Sequence, residues 1–357
     1  MKISTFLKVA AITVSISTAF NVQAQGQLKP QDPRPAWAPD IKPEMEVVIE
    51  KLESFNAKPI TGLSAKEARK NPTPTTAVMA LVKEKGLPVP PSTVDTSGKD
   101  IPVEGGKIHL RIYTPKNATT ALPVIVYYHG GGWVIADLDT YDASAKGLAE
   151  QVGAIVVSVA YRQAPEYKFP TAHNDSYAAY EWTLKNAASL NGDPMNIAVA
   201  GESAGGNLAA AVSMMARDRK ARLPVHQLLV YPIAGYDFNT PSYQKYAMAK
   251  PLNKAMMQWF FEQYLRSPED GKNPWISLVN ADLKGLPAAT IIRAEIDPLE
   301  SDGRMLEQKL ESAGVRVDGK TVPGVTHEFF GMAAVVPEAK EWQVYAVAKL
   351  KEAFKLK

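Results

Sequence analysis

The feature that most constrains the fold is a sharp turn predicted at Ala200-Gly201-Glu202-Ser203-Ala204-Gly205-Gly206. An apolar run (196–200) precedes it and an Ala-rich segment (207–216) follows it, which predicts a strand, a tight turn and a helix. The flanking glycines let strand and helix approach closely without Cβ clashes. Such a turn projects the Ser203 side chain clear of the sheet, beside the free N–H groups of the helix. On this stretch alone, the alternative is a glycine-rich turn that carries an incidental serine.

Strand and helix patterns alternate along most of the chain after residue 107, where the first strand is expected. Several later runs are apolar on both faces, as is typical of strands buried in a parallel sheet, namely 122–128, 154–160, 226–231 and 288–294. Helical segments are predicted between them. The sequence therefore predicts an α/β fold, with a mostly parallel central sheet and helices on both faces.

Residues 1–24 have the pattern of a secretory signal peptide. Lys2 and Lys8 lie around the start of an apolar core (9–16), and Val22-Gln23-Ala24 supplies small residues at a cleavage site. We therefore expect a periplasmic or secreted protein cleaved after Ala24, with an uncleaved membrane anchor as the alternative. No other segment approaches eighteen apolar residues, so no stable membrane insertion is predicted.

The remaining chain divides into two predicted parts. Residues 25–104 are expected to form an extended arm and short helices that precede the sheet, and residues 105–357 form the α/β domain. Within that domain, residues 237–286 interrupt the alternation with a helical, aromatic-rich insert. Most of its aromatic side chains are expected to pack onto the core, with one or two facing Ser203 as a pocket wall.

Composition excludes several kinds of site and partner. The chain has no cysteine, which removes disulfides, zinc-thiolate sites and cysteine nucleophiles. Its net charge is only +3 and it has no long basic run, so no nucleic-acid partner is predicted. The five scattered histidines form no metal-binding motif, and no cofactor is expected. The sequence is compatible with a homodimer but does not fix the oligomeric state.

A serine nucleophile needs a base and a group that orients the base. His327 is the strongest candidate base, because it lies on the loop between the last predicted strand and the last helix. Asp297 follows a strand between Ser203 and His327 in the chain and is the candidate acid, with Glu295 and Asp302 as competitors. The order Ser, Asp, His is that of α/β-hydrolases.

An acyl-transfer site also needs N–H donors for the oxyanion. The glycine run Gly130-Gly131-Gly132 directly follows a buried strand and exposes backbone N–H groups, and Ala204 supplies another donor beside the serine. A flexible loop or a phosphate cradle is the alternative for the glycine run. The Lys-Ser/Thr ending of a P-loop is missing, which disfavours phosphate.

Five motifs together resemble the bacterial hormone-sensitive-lipase family of esterases, in the α/β-hydrolase superfamily. They are His129-Gly130-Gly131-Gly132-Trp133, Tyr161-Arg162-Gln163-Ala164-Pro165-Glu166 with Phe169-Pro170, Gly201-Glu202-Ser203-Ala204-Gly205-Gly206, Asp297-Pro298-Leu299 and His327-Glu328-Phe329-Phe330. The resemblance runs from about residue 105 to residue 357. Two positions depart from the common pattern: Glu202, where many members carry Asp, and Glu328, where Gly is common.

The resemblance implies a role for each candidate residue. Ser203 would be the nucleophile, Asp297 the orienting acid and His327 the base. The N–H groups of Gly131, Gly132 and Ala204 would form the oxyanion hole. It further implies a cap built from the N-terminal helices and part of the insert.

The predicted function is a serine carboxylesterase that hydrolyses short- to medium-chain acyl esters of small molecules through an acyl-enzyme. The same triad is also compatible with a deacetylase or acyl esterase of polysaccharides, or with an amide or peptide hydrolase. A non-catalytic small-molecule binder on this fold is the remaining alternative, which the presence of His327 disfavours.

Overall fold

A computed structural model describes residues 28–116 and 118–356. The predicted signal peptide, residues 1–24, lies outside the described residues. The helices are α1 (Pro43–Glu53), α2 (Ala65–Ala68), α3 (Pro74–Glu84), α4 (Asp142–Val152), α5 (Thr171–Asn186), α6 (Ala204–Asp218), α7 (Pro241–Lys245), α8 (Lys254–Tyr264), α9 (Glu300–Ser312) and α10 (Pro337–Ala353). The strands are β1 (Val94–Val103), β2 (Gly106–Pro115), β3 (Leu122–Tyr128), β4 (Ile155–Ala160), β5 (Gly192–Glu202), β6 (Gln227–Val230), β7 (Ala289–Ile296) and β8 (Val317–Thr326).

The strands form one eight-stranded sheet in the order β1-β2-β4-β3-β5-β6-β7-β8. β1 and β2 pair antiparallel, β2 pairs antiparallel with β4, and the other six strands are parallel to one another. Apolar side chains fill both faces of the sheet, with α5, α6 and α9 on one face and α4 and α10 on the other. The predicted fold class is confirmed.

One strand lies where the sequence predicted none. The first strand was expected near residue 107, but β1 covers Val94–Val103, inside the 25–104 segment assigned to the arm and helices. Only Val94 and Ile101 of β1 are buried, so its sequence lacks the apolar alternation that identifies a half-buried strand. β1 forms a hairpin with β2, which supplies the backbone partners that its side chains do not reveal.

The segments outside the sheet pack against both of its faces. Helices α1 and α3 contact each other and belong to the apolar cluster on the α4 and α10 face. The 237–286 insert contributes α7 and α8, and the buried side chains of α8 join the cluster on the opposite face. None of the described helices is long and apolar enough to cross a membrane.

Candidate active site

Ser203 lies at the turn between β5 and α6. Its backbone has φ 57° and ψ −119°, a conformation that costs a non-glycine residue about 1–3 kcal/mol and persists only when its surroundings hold it. Its N–H donates to the carbonyl of Val230 at 2.9 Å. A Cβ on Gly205 would lie 1.9 Å from the carbonyl oxygen of Tyr128, so α6 approaches β3 too closely for any other residue there. The predicted sharp turn is therefore present.

Asp297 and His327 directly follow the neighbouring strands β7 and β8, whose carboxyl ends lie at the same sheet edge as Ser203. The Nε2 atom of His327 is 2.9 Å from the Oγ of Ser203, and its Nδ1 is 2.6 Å from the Oδ2 of Asp297. The other Asp297 oxygen accepts the N–H of Leu299 at 2.9 Å. The structure thus brings the three predicted side chains into one hydrogen-bonded chain, with exposures of 4% for Ser203, 3% for His327 and 0% for Asp297.

Two opposing effects act on the imidazole of His327. Burial lowers its pKa, but the charge and hydrogen bond of Asp297 raise the pKa and outweigh burial, so it lies above the ordinary 6.5. Glu328 and Glu202 act in the same direction. The environment therefore stabilises an imidazolium, the form a base acquires when it takes the serine proton.

The competing acids have other partners. Glu295 accepts the N–H of Gly324 at 2.8 Å. Asp302 is buried and accepts the N–H groups of Ala234 and Gly235 at 3.0 and 2.8 Å, and burial raises its pKa to about 7. Glu295 thus binds the backbone of β8 and Asp302 holds the loop after β6, while Asp297 holds His327.

The glycine run after β3 lies beside Ser203. Gly131 has φ 92° and Gly132 has φ 59°, and a Cβ on Gly131 would lie 2.1 Å from the carbonyl oxygen of Ile135. Both glycines line the same cavity as Ser203, and Ala204 is the first residue of α6. Within the described part of the chain, the N–H groups of these three residues donate to no backbone carbonyl. They are therefore available to an oxyanion.

His129 serves this loop through hydrogen bonds and stacking. Its Nδ1 is 2.8 Å from the carbonyl oxygen of Gly130, and its ring stacks on Tyr161 with centroids 4.3 Å apart. Burial lowers its pKa to about 4, so it is neutral at physiological pH. His173 and His226 are likewise buried and hydrogen-bonded, to Asn207 and Thr290.

A cavity of about 550 Å³, counting space open to solvent, lies above Ser203. The insert lines one side of it with Leu252, Met256, Met257 and Phe260. A second cavity of about 860 Å³ adjoins it and shares several lining residues, Met256 among them. Of the insert aromatics, Phe260 contributes to the cavity wall, while Trp259, Phe261 and Tyr264 are buried in the core cluster.

Sequence reasoning missed a buried acidic cluster around His327. Glu202 accepts hydrogen bonds from the hydroxyls of Tyr127 and Tyr231, and the Tyr231 ring packs on His327 with centroids 4.4 Å apart. Glu328 lies 3.8 Å from the Nε2 of His327. Burial raises the pKa of both carboxyls, that of Glu202 to about 7. The only signal in the sequence was the unusual glutamate beside each of the two catalytic candidates.

No group of three or more His, Cys, Asp or Glu side chains among the described residues is arranged to hold a metal ion.

Comparisons with known proteins agree on one kind of enzyme. The model of a family described as the alpha/beta hydrolase fold matches residues 125–331. Carboxylesterase NlhH of Mycobacterium tuberculosis is 38% identical over 321 residues, covering 88% of this chain and 97% of the relative. Ethyl acetate hydrolase of Pseudomonas putida is 32% identical over 318 residues, covering 88% and 98%.

Solved structures give the same result. The crystal structure of a thermostable esterase from Pseudomonas putida superposes with a TM-score of 0.82 at 31% identity, covering 90% of this chain and 99% of that one. A hyperthermophilic esterase from the archaeon Pyrobaculum calidifontis gives 0.79 at 35% identity, covering 88% and 98%.

Proposed function

The chain is a carboxylic ester hydrolase of the hormone-sensitive-lipase family, within the alpha/beta hydrolases, and we propose that it acts through a Ser203-His327-Asp297 triad and an acyl-enzyme. The observation that carries this proposal is the hydrogen-bonded chain from Ser203 Oγ to His327 Nε2 at 2.9 Å and from His327 Nδ1 to Asp297 Oδ2 at 2.6 Å. A serine hydroxyl becomes a competent nucleophile in such an arrangement.

In acylation, the Oγ of Ser203 attacks the ester carbonyl carbon while Nε2 of His327 takes the hydroxyl proton. The carbonyl oxygen becomes an oxyanion and accepts hydrogen bonds from the N–H groups of Gly131, Gly132 and Ala204. The imidazolium, held by Asp297, then protonates the departing alkoxide. The products of this half-reaction are a free alcohol and an ester of Ser203.

In deacylation, a water molecule takes the place of the alcohol. His327 removes a proton from the water as it attacks the acyl carbon, and the imidazolium returns that proton to Ser203 Oγ. The acid leaves and the triad is restored. No cofactor takes part in either proposed half-reaction.

We further propose short- to medium-chain acyl esters as substrates. The cavity is bounded on one side by the apolar side chains of the insert, which suits an acyl group of limited length. The ethyl acetate hydrolase relative, by its name, acts on an ester with a two-carbon acyl group.

Residues 1–24 are proposed to direct export to the periplasm or the medium. If so, N-terminal sequencing of the protein recovered outside the cytoplasm of a bacterial host should begin at Gln25. Recovery of an intact Met1 terminus from the cytoplasm alone would contradict this assignment.

The triad proposal is tested with Ser203→Ala and p-nitrophenyl butyrate. Loss of the nucleophile should lower kcat by at least about 10⁴-fold. Ser312→Ala, at an exposed serine of α9, is the matched control and should keep the parent rate. A Ser203→Ala protein that is folded and retains substantial turnover would rule out Ser203 as the nucleophile.

A further inference from the structure

Glu328 occupies a position that favours glycine. It directly follows His327 and has φ 71° and ψ 0°, the left-handed conformation that residues with a Cβ disfavour. Its side chain is mostly buried, with 20% exposure, and lines the cavity above Ser203. A carboxyl group is thus held in the active site against both backbone preference and desolvation.

The carboxyl group is fixed on one side and open on the other. Its Oε1 accepts the hydroxyl of Tyr141 at 2.5 Å and lies 3.8 Å from Nε2 of His327. Its Oε2 makes no hydrogen bond to any residue that the structure describes. Tyr141 is itself buried and packs close to Gly130, so the carboxyl group has a rigid support.

The exposed lining of the cavity is mainly apolar, and Glu328 is one of its few polar groups. Thr140 and Tyr141 are adjacent in the chain and both line the cavity. The hydroxyl of Thr75 donates to the Thr140 carbonyl at 2.7 Å, which brings the start of α3, with the lining residue Thr73, against the same side. The insert supplies the apolar side. Glu328 therefore places a carboxyl group in a cavity whose lining is mainly apolar.

The short distance between Nε2 of His327 and the carboxyl group of Glu328 limits which alcohol groups can contact both. Nε2 must lie about 3 Å from the leaving oxygen of the alcohol when it delivers the proton. Oxygens on adjacent carbons in a gauche arrangement are about 3 Å apart, and a hydroxyl donates to a carboxylate over about 2.7 Å. Oε1 of Glu328 lies 3.8 Å from Nε2, so a hydroxyl on the carbon next to the leaving oxygen is within reach of the same carboxyl group, whose Oε2 is the open acceptor.

We propose that Glu328 is a specificity-determining residue that accepts a hydrogen bond from a hydroxyl on the carbon next to the ester-bearing carbon of the alcohol. The favoured substrates are then monoesters of vicinal diols, such as glycerol-like or sugar-like alcohols. This inference rests on the proposed triad and adds the alcohol class to it. A neutral hydroxyl fits better than an ammonium group, because a second positive charge next to Nε2 would oppose formation of the imidazolium.

The test compares kcat/KM for 2-hydroxyethyl butyrate and for propyl butyrate, which have nearly the same shape. The parent enzyme should favour the hydroxyl-bearing ester by about tenfold, the usual effect of one hydrogen bond to a buried polar group. Glu328→Met keeps the volume without an acceptor and should abolish that preference. Glu328→Gln should leave an intermediate ratio, and Glu341→Gln, on the exposed surface of α10, should leave it unchanged.

Intrinsic reactivity of the two esters is the same for every variant, so the change in ratio reports Glu328 alone. Titration of Ser203 with a fluorophosphonate counts folded active sites, and Glu328→Gly suits the left-handed backbone if Glu328→Met folds poorly. A ratio near one in the parent enzyme, or a ratio that survives in Glu328→Met and Glu328→Gly, would overturn the inference.

Three further outcomes separate the proposals. A preference for choline butyrate over 3,3-dimethylbutyl butyrate that is lost in Glu328→Met, without any hydroxyl effect, would make Glu328 a cation site and overturn the hydroxyl assignment. Failure of the parent enzyme on both propyl and 2-hydroxyethyl butyrate, with no fluorophosphonate labelling, would overturn the triad proposal itself. Turnover of both esters without a hydroxyl preference would overturn only the role of Glu328.

Discussion

The imidazole of His327 lies within reach of three carboxyl groups, and its pH behaviour follows from them. Burial lowers its pKa, while Asp297, Glu328 and Glu202 raise the pKa above 6.5. Only the neutral imidazole can take the proton of Ser203. Activity should therefore be present at alkaline pH and decline as pH falls through this raised pKa.

Asp297→Asn should lower kcat by about 10³- to 10⁴-fold, because the amide cannot hold the imidazole in the required tautomer or stabilise the imidazolium. The acid limb of the residual activity should lie at a lower pH than the acid limb of the parent enzyme, because the Asp297 carboxylate raises the pKa of His327. The measurement is a kcat/KM profile with p-nitrophenyl butyrate.

Asp302→Asn is the matched control, because Asp302 is equally buried but accepts loop N–H groups. It should lower stability and leave the position of the acid limb unchanged. An acid limb that moves in Asp302→Asn and not in Asp297→Asn would reassign the orienting acid.

At the scale of residues, the sequence allowed a site residue to be predicted where that residue follows a strand. Ser203, Asp297 and His327 each follow a predicted strand, and the parallel sheet brings those strand ends together. The contacts of Glu202 and Glu328 were not predictable, because their partners Tyr127, Tyr141 and Tyr231 come from other strands and loops. Only tertiary packing brings these hydroxyls to the two carboxyl groups.

At the scale of elements, buried parallel strands were predictable and the exposed edge was not. β3 and β4 are apolar on both faces and stand out in the sequence. β1 has polar, exposed side chains along most of its length and is defined by backbone pairing with β2. Backbone pairing leaves little signature in side-chain chemistry, so edge strands of this kind are missed.

The insert determines how much room an acyl chain has. Met256→Ala removes three side-chain heavy atoms and should enlarge the cavity by about three methylene groups, because Met256 is half-buried and lines both adjoining cavities. The kcat/KM ratio of p-nitrophenyl octanoate to butyrate should then rise by about tenfold.

Met248→Ala is the matched control, since Met248 belongs to the same insert but is 72% exposed. It should leave the chain-length preference unchanged. If Met256→Ala also leaves it unchanged, the acyl chain does not lie against α8.

At the scale of the whole molecule, buried titratable groups set how stability depends on pH. Burial lowers the pKa values of His129, His173 and His226 to about 4, so between about pH 4 and 6.5 the unfolded chain binds protons there that the native protein does not. Stability from these groups rises with pH in that window. Glu202 and Asp302, with pKa values raised to about 7, act oppositely, because the native protein keeps protons that the unfolded chain has lost.

His327 and Glu328, whose pKa values are also raised, act in the same direction as Glu202 and Asp302. Above pH 6.5 the three buried histidines oppose them less, because these histidines then lose their protons in the unfolded chain as well. The free energy of unfolding should therefore fall as the pH rises from 6.5 to 8, with each proton contributing about 1.4 kcal/mol per pH unit. Urea unfolding across this range measures it. Glu202→Gln should reduce the fall of the unfolding free energy above pH 6.5. An equal fall in the variant and the parent would show that Glu202 is not protonated in the native state.

The central claim, that the molecule hydrolyses esters through Ser203, is tested most directly by trapping the acyl-enzyme. The protein is mixed with p-nitrophenyl butyrate, quenched in acid within milliseconds and mapped by peptide mass. We predict a burst of one p-nitrophenolate per active site and one butyryl group on the peptide that contains Ser203. A butyryl group on another residue, or the same labelling in Ser203→Ala, would contradict the account.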